Sequence, residues 1–162
     1  MHEVLRLALQ NLESWQKSKK VGIYIHLRAR HSHIRADPGK LEQILSHRMG
    51  NALKFTPAGG RVLIVTRSDG DGKLVVEVRD NGIGMPPQTL ARIFLPFEQG
   101  DPSIHSRFGG LGLGLSIARA LMEAQGAVLD AVSDGPGRGA KFRARFQLDG
   151  APPQSVIMGR DL

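Results

Sequence analysis

Apolar residues recur at helical spacing in some stretches of this chain and alternate with polar ones in the stretches between. Val4, Leu5, Ala8, Leu9, Leu12 and Trp15 share one side of a helix predicted over residues 3–18. Asp37-Pro38 reads as an N-cap followed by proline at the first helical position. Leu41, Ile44, Leu45, Ala52 and Phe55 then follow at helical spacing, and a further amphipathic pattern runs from Leu115 to Gln125. Val21 to Leu27 reads as the first strand, with Ile34-Arg35 as a short partner. Arg61 to Arg67 and Lys73 to Arg79 read as a hairpin around Asp69-Gly70-Asp71-Gly72. Pro87 to Phe94 is expected as a short helix, and residues 98–110, rich in Gly, Ser and Pro, as a mobile loop. Ala127 to Ser133 and Ala140 to Leu148 read as the last two strands. This order predicts an α/β two-layer sandwich, a mixed, mostly antiparallel sheet with helices packed on one face.

Two glycine clusters stand at element ends. Asp80-Asn81-Gly82-Ile83-Gly84 closes the second strand of the hairpin, and Gly109 to Leu115 runs straight into the Leu115–Gln125 helix. Glycines at such places let backbone approach a phosphate closely, and a helix N-terminus offers free N–H groups and the positive dipole end. Either cluster alone is a weak signal, and a Gly-rich helix start more often reflects plain helix–loop packing. On the upstream helix His47, Asn51 and Lys54 fall at i, i+4 and i+7 and share a polar stripe. An Asn carbonyl oxygen is a hard ligand suited to magnesium, and a Lys ammonium neutralises phosphate charge. The stripe also fits a solvated helix face.

In this order the motifs resemble the catalytic, ATP-binding domain of sensor histidine kinases, part of the wider family shared with DNA gyrase, a heat-shock chaperone and a mismatch-repair ATPase. The N box is similar to Gln43 through Pro57, the first glycine box to Asp80–Gly84, and the F box to Ile93 through Gln99. The second glycine box is similar to Gly109–Leu115, and a last glycine-rich box to Gly135–Phe142. The resemblance spans roughly residues 20–148. It implies a Bergerat-type fold, ATP and Mg2+ as the bound groups, and transfer of the γ-phosphoryl to a histidine. Residues 1–20 are then expected as a helix or linker from a missing dimerisation domain, 21–149 as the ATP-binding domain, and 150–162 as a tail or linker.

The resemblance also implies roles. Asp80 matches the carboxylate that accepts the adenine amino proton, Asn51 the magnesium-binding amide, and Lys54 a phosphate contact. Phe55 matches an aromatic lining the nucleotide pocket and fits simple core equally well. Gly82 and Gly84 belong to the base-side loop, Phe94 and Phe97 to the base of a lid, and Arg107 to a lid arginine that reaches the γ-phosphate. Gly110, Leu111, Gly112, Leu113, Gly114 and Leu115 form the lid hinge and the phosphate-facing helix start. Asn51, Lys54 and Arg107 are thereby the candidate catalytic set.

Departures from the family pattern are equally specific. His47 stands where Asn usually opens the N box; a metal ligand, a base and a space-filler are the roles open to it. Arg48 replaces an apolar residue beside the apolar stripe and is expected to reach solvent or an acidic partner. Gln125-Gly126-Ala127 stands in place of His-Gly-Gly, and Lys141 in place of a small hydroxyl residue. The family's acceptor histidine lies in a His-Glu-x-x-x-Pro pattern; His2-Glu3 echoes it, but Leu7 occupies the proline position, so His2 reads as an incidental helix residue.

Composition narrows the picture only slightly. At 162 residues one domain is expected, and with no Cys there is neither disulfide nor thiol chemistry, which fits a cytoplasmic location. No apolar run approaches membrane-spanning length. The net charge of +7 suits attraction of a polyanionic nucleotide. The basic residues look scattered and only one Trp and one Tyr are available for stacking, so no nucleic acid is expected. The partners implied by the resemblance are a histidine-containing dimerisation domain of the same parent kinase, a homodimer, and a response-regulator receiver domain. A degenerate nucleotide-sensing module and a hydrolytic ATPase remain the competing readings.

Overall fold

The path of the chain follows the periodicities, with its changes of direction supplied by loops. The computed structural model describes residues 1–69, 71–98 and 112–150. Helices α1 (His2–Gln10) and α2 (Glu13–Lys19) lead into β1 (Gly22–Leu27). The long helix α3 (Pro38–Phe55) is followed by β2 (Arg61–Ser68), β3 (Lys73–Asp80) and the short α4 (Pro87–Arg92). Helix α5 (Gly114–Ala124) and strands β4 (Val128–Val132) and β5 (Ala140–Gln147) complete the described elements. The expected loop over 98–110, apart from Glu98, and the tail beyond Gly150 lie outside the described residues.

The sheet has the order β1-β2-β3-β5-β4. Strands β1 and β2 are parallel, with α3 as the crossover between them, and the other neighbouring pairs are antiparallel. Ile34 makes an isolated bridge to Leu148, just past the end of β5, and is not the partner of β1 expected from the sequence. A two-residue segment carries too little pattern to choose its neighbour.

Helix α3 starts as its sequence dictates: the Asp37 carboxylate accepts from the Lys40 amide at 3.0 Å, and Pro38 occupies the first turn. Its end is held by Lys19, whose Nζ donates to the carbonyls of Leu53 (3.2 Å), Lys54 (2.9 Å) and Thr56 (3.4 Å). A cation there meets the carbonyls at the helix end, where the dipole is negative. Leu41, Leu45, Met49 and Leu53 turn inward and meet Val62, Ile64, Leu74, Val76 and Val78 of the sheet.

The helix predicted over 3–18 is broken at Asn11-Leu12, where the Leu12 amide returns to the Leu9 carbonyl at 3.0 Å. The bend lets Leu5, Ala8 and Leu12 stay in the core while Trp15 turns toward Gly50, where an added Cβ would lie 3.3 Å from the indole. Leu5 and Ala8 are fully buried, so α1 packs into the helical layer. His2 is equally tied in, with Nε2 2.9 Å from Thr66 Oγ1.

The face of the sheet away from the helices gathers much of the basic surplus that looked scattered in sequence. By strand register it carries Arg61, Arg67, Lys73, Arg79, Lys141, Arg143 and Arg145 against Glu77 and Asp130. Asp130 holds Arg143 at 2.8 Å and Arg145 at 2.7 Å, and Arg79 pairs with Glu77. Val75 and Glu77 are nearly inaccessible on this face, as expected where arginine stems lie across a sheet.

Candidate nucleotide-binding site

The cavity lies where β3 ends, between the sheet and α3. Asp80 stands at that end, opposite Val62 and Ala140. Its Oδ1 accepts from the amides of Gly82 at 2.9 Å and Ala140 at 3.2 Å, which fixes the plane of the carboxylate. Burial pushes the Asp80 pKa up; the two amide bonds and the Arg48 charge oppose that rise.

The glycines are required by contact, not only by turn geometry. A Cβ on Gly82 would collide with the Phe55 carbonyl, and one on Gly84, at φ +64°, with the Gly135 carbonyl. The Ile83 amide donates to the Phe55 carbonyl at 3.1 Å, and the Gly139 amide to the Gly82 carbonyl at 3.1 Å. Ser133 Oγ accepts from the Met85 amide at 2.9 Å and donates to the Gly139 carbonyl at 2.7 Å. The first glycine box, the last glycine-rich box and the end of α3 are thus one knitted unit.

Asn51, Ala52 and Phe55 line the cavity from α3, and Ile83, Gly84 and Met85 from the loop after β3. Thr89, Ile93 and Glu98 close it from the α4 side, Leu115 from α5, and Ala140 and Phe142 from β5. Its empty volume is about 750 Å3, open mouth included. Most of this lining is apolar. Met85, Thr89, Ile93 and Phe142 were not singled out from sequence, because apolar wall residues carry the same pattern as core.

Of the remaining candidates, Lys54 lies with Nζ 5.4 Å from the Phe55 ring centre, beside the cavity rather than in its wall. Phe94 is half-buried under the Arg119 guanidinium, 5.2 Å from its ring centre. Phe97 is 74% exposed with φ +62° and is not part of the cavity wall; the lid it is expected to anchor lies outside the described residues. Gly112, at φ +70°, packs on the backbone of Phe97 and Glu98, and Gly114 opens α5 after Leu113. Among the described residues no side chain caps that helix start. Arg107, Gly110 and Leu111 lie outside the described residues.

The departures resolve differently from one another. The His47 ring lies against Gly114, where an added Cβ would strike it. Partial burial first, then the Arg48 and Lys54 charges, hold its pKa below the ordinary 6.5, so the ring is neutral at pH 7. Lys141 projects to the far face of the sheet, away from the cavity. The Gln125 side chain accepts from the Asp37 amide at 2.7 Å and ties the end of α5 to the start of α3. Arg48 does not reach solvent: it is 4% exposed, stacks 4.6 Å from the Phe142 ring centre and, among the described residues, makes no ion pair, though the Asp80 charge acts on it. An aromatic face substitutes in part for the hydration the guanidinium has lost.

A sheet with helices on one face, a carboxylate fixed at a strand end and glycine loops on α3 define a nucleotide-binding ATPase domain. Residues 36–150 match the model of the histidine kinase-, DNA gyrase B-, and HSP90-like ATPase family, and the chain belongs to that family. It is 36% identical to the circadian input-output histidine kinase CikA of Synechococcus elongatus over 142 residues, covering 85% of this chain and 19% of that protein. It is 40% identical to the sensor histidine kinase RcsC of Escherichia coli over 118 residues, covering 73% of this chain and 12% of that one. The chain therefore spans less than a fifth of the length of these relatives. Full-length ShkA, solved with AMPPNP, superposes with a TM-score of 0.76 at 32% identity, over 90% of this chain and 29% of that one. The mycobacterial sensor histidine kinase MprB superposes at 0.75 and 23% identity, over 90% and 93% of the two chains, a likeness of fold. Among the described residues no helix is long and apolar enough to cross a membrane.

Proposed function

We propose that this chain is the ATP-binding catalytic domain of a sensor histidine kinase. It binds ATP with magnesium and presents the γ-phosphoryl to a histidine on a dimerisation domain of a homodimeric parent, which then supplies a response-regulator receiver domain. The observation that carries this reading is Asp80, a carboxylate whose Oδ1 is held by the Gly82 and Ala140 amides in the wall of an apolar cavity. A carboxylate so held accepts an amino hydrogen of adenine, while Phe55, Ile83 and Met85 exclude water from the ring.

Among the described residues no three His, Cys, Asp or Glu side chains could enclose a metal by themselves. That suits magnesium, which binds through one or two protein oxygens with substrate phosphates and water completing its shell. Asn51 is the side chain that would hold it, and the ion would neutralise charge developing on the phosphoryl oxygens. Lys54 adds a positive charge beside the same wall, and the start of α5 offers backbone donors suited to phosphate. Transfer then depends on positioning and electrostatics rather than on a protein nucleophile.

The test is titration with a non-hydrolysable ATP analogue, with and without magnesium. It is followed by transfer from radiolabelled ATP to a cognate dimerisation domain supplied in trans. Acid-labile label on that domain is expected; acid-stable label on Ser or Thr would refute the histidine-kinase reading. One observation favours a second reading, a nucleotide sensor without transfer: the His47 ring occupies the approach to the start of α5. Tight binding with no label in either the wild type or His47→Asn would establish it.

A further inference from the structure

The cavity contains a group that the recognition of adenine by Asp80 leaves unused. Arg48 sits on α3 one turn before Asn51, and its side chain lines the cavity together with Asp80 and Phe142. Nε, Nη1 and Nη2 are all buried and have no hydrogen-bond partner among the described residues. Burial pulls its pKa down to about 10, opposed by the Asp80 charge, so it is cationic at neutral pH. A buried guanidinium with unmet donors is costly, and the cost is relieved when an acceptor enters the cavity.

The base edge of a nucleotide brings such acceptors. A carboxylate alone discriminates against a 6-oxopurine, because two acceptors then face each other. A guanidinium in the same cavity removes that conflict: it can donate to O6 and N7, while the carboxylate accepts from the ring N1–H. Resting on the reading of this cavity as a purine-nucleotide site, we propose that Arg48 is a specificity-determining residue that donates to the base edge, so that the site takes 6-oxopurine nucleotides as well as adenine nucleotides. His47 and Lys54 do not compete for this role; neither lines the cavity.

The experiment compares ADP with inosine diphosphate by calorimetry, in magnesium, on the wild type, Arg48→Leu and Arg48→Lys. Inosine diphosphate carries the 6-oxo group without the 2-amino group of guanine, so the comparison isolates the edge facing Asp80 and Arg48. In the wild type the two dissociation constants are expected within about tenfold of each other. In Arg48→Leu the preference for ADP is expected to widen at least tenfold, and Arg48→Lys to restore part of the difference. A wild-type preference for ADP of about a hundredfold or more overturns the proposal whether or not the variants fold. An unchanged ratio in Arg48→Leu overturns it too, even if both affinities rise, since Arg48 then merely fills space; the adenine-nucleotide reading would stand. Failure of both nucleotides to bind the wild type overturns the nucleotide reading, and this proposal with it.

Discussion

Asp80→Asn separates recognition from folding, because the two tasks fall on different parts of the carboxyl group. Oδ1 accepts from the Gly82 and Ala140 amides, and an Asn oxygen can accept from the same two donors. The other oxygen becomes an NH2, which turns a donor toward the adenine amino group and removes a charge-assisted hydrogen bond. That bond contributes about 1.5–3 kcal/mol, which corresponds to roughly 10- to 150-fold in dissociation constant. Stability should move the other way. Burial raises the Asp80 pKa, so the protonated form is favoured in the folded state and this group's contribution is lost as pH rises through the folded value. At neutral pH the empty protein therefore carries a buried charge that Asn lacks, and the variant should melt no lower than the wild type. Calorimetric titration with an ATP analogue and thermal melts at pH 7 measure both quantities. Unchanged affinity would refute the base-reading role, and a strongly lowered melting temperature would show that the charge itself holds the strand end.

Asn51→Ala should weaken magnesium-ATP by about tenfold or more while leaving metal-free ATP nearly unchanged; equal losses in parallel titrations would remove Asn51 as the metal ligand. Gly82→Ala forces a methyl group onto the Phe55 carbonyl and should cost about 1–3 kcal/mol, seen as a lower melting temperature together with lost nucleotide binding. His47 should titrate below 6.5 by NMR; because its folded pKa is lowered, its contribution to stability is full above 6.5 and lost as pH falls through the folded value. His47→Asn should flatten that acid limb. A titration midpoint at or above 6.5 would contradict the packing of the ring against Gly114.

Much of the fold is legible because local signals and burial agree. Asp37-Pro38 starts α3, and the alternation of Leu74, Val76 and Val78 with Lys73, Glu77 and Arg79 marks β3 with one face inward. What periodicity does not record is direction and partnership. The parallel pairing of β1 with β2 follows from the α3 crossover, not from the residues of either strand. The break at Asn11-Leu12 was hidden because Leu12 continues the apolar stripe across it. The basic outer face was hidden for a related reason: the arginines of the β2–β3 hairpin are joined there by those of β5, a strand distant in sequence that pairs with β3.

At the site the glycines are legible because they answer to backbone contacts that no other residue tolerates. Gly82 and Gly84 abut carbonyls of Phe55 and Gly135, segments far apart in the chain. The walls are not legible, since Met85, Ile93 and Phe142 would be apolar whether they faced a ligand or the core. Arg48 is the instructive failure. A rule about buried charge sends it to solvent or into an ion pair, yet α3 turns this position toward the sheet, where Phe142 offers a flat ring and Asp80 a Coulombic attraction rather than a hydrogen-bonded pair. Stacking satisfies the face of a guanidinium but none of its N–H edges. That division is why burial and unmet donors coexist at Arg48, and why its edge is the part of the cavity that a bound base can change.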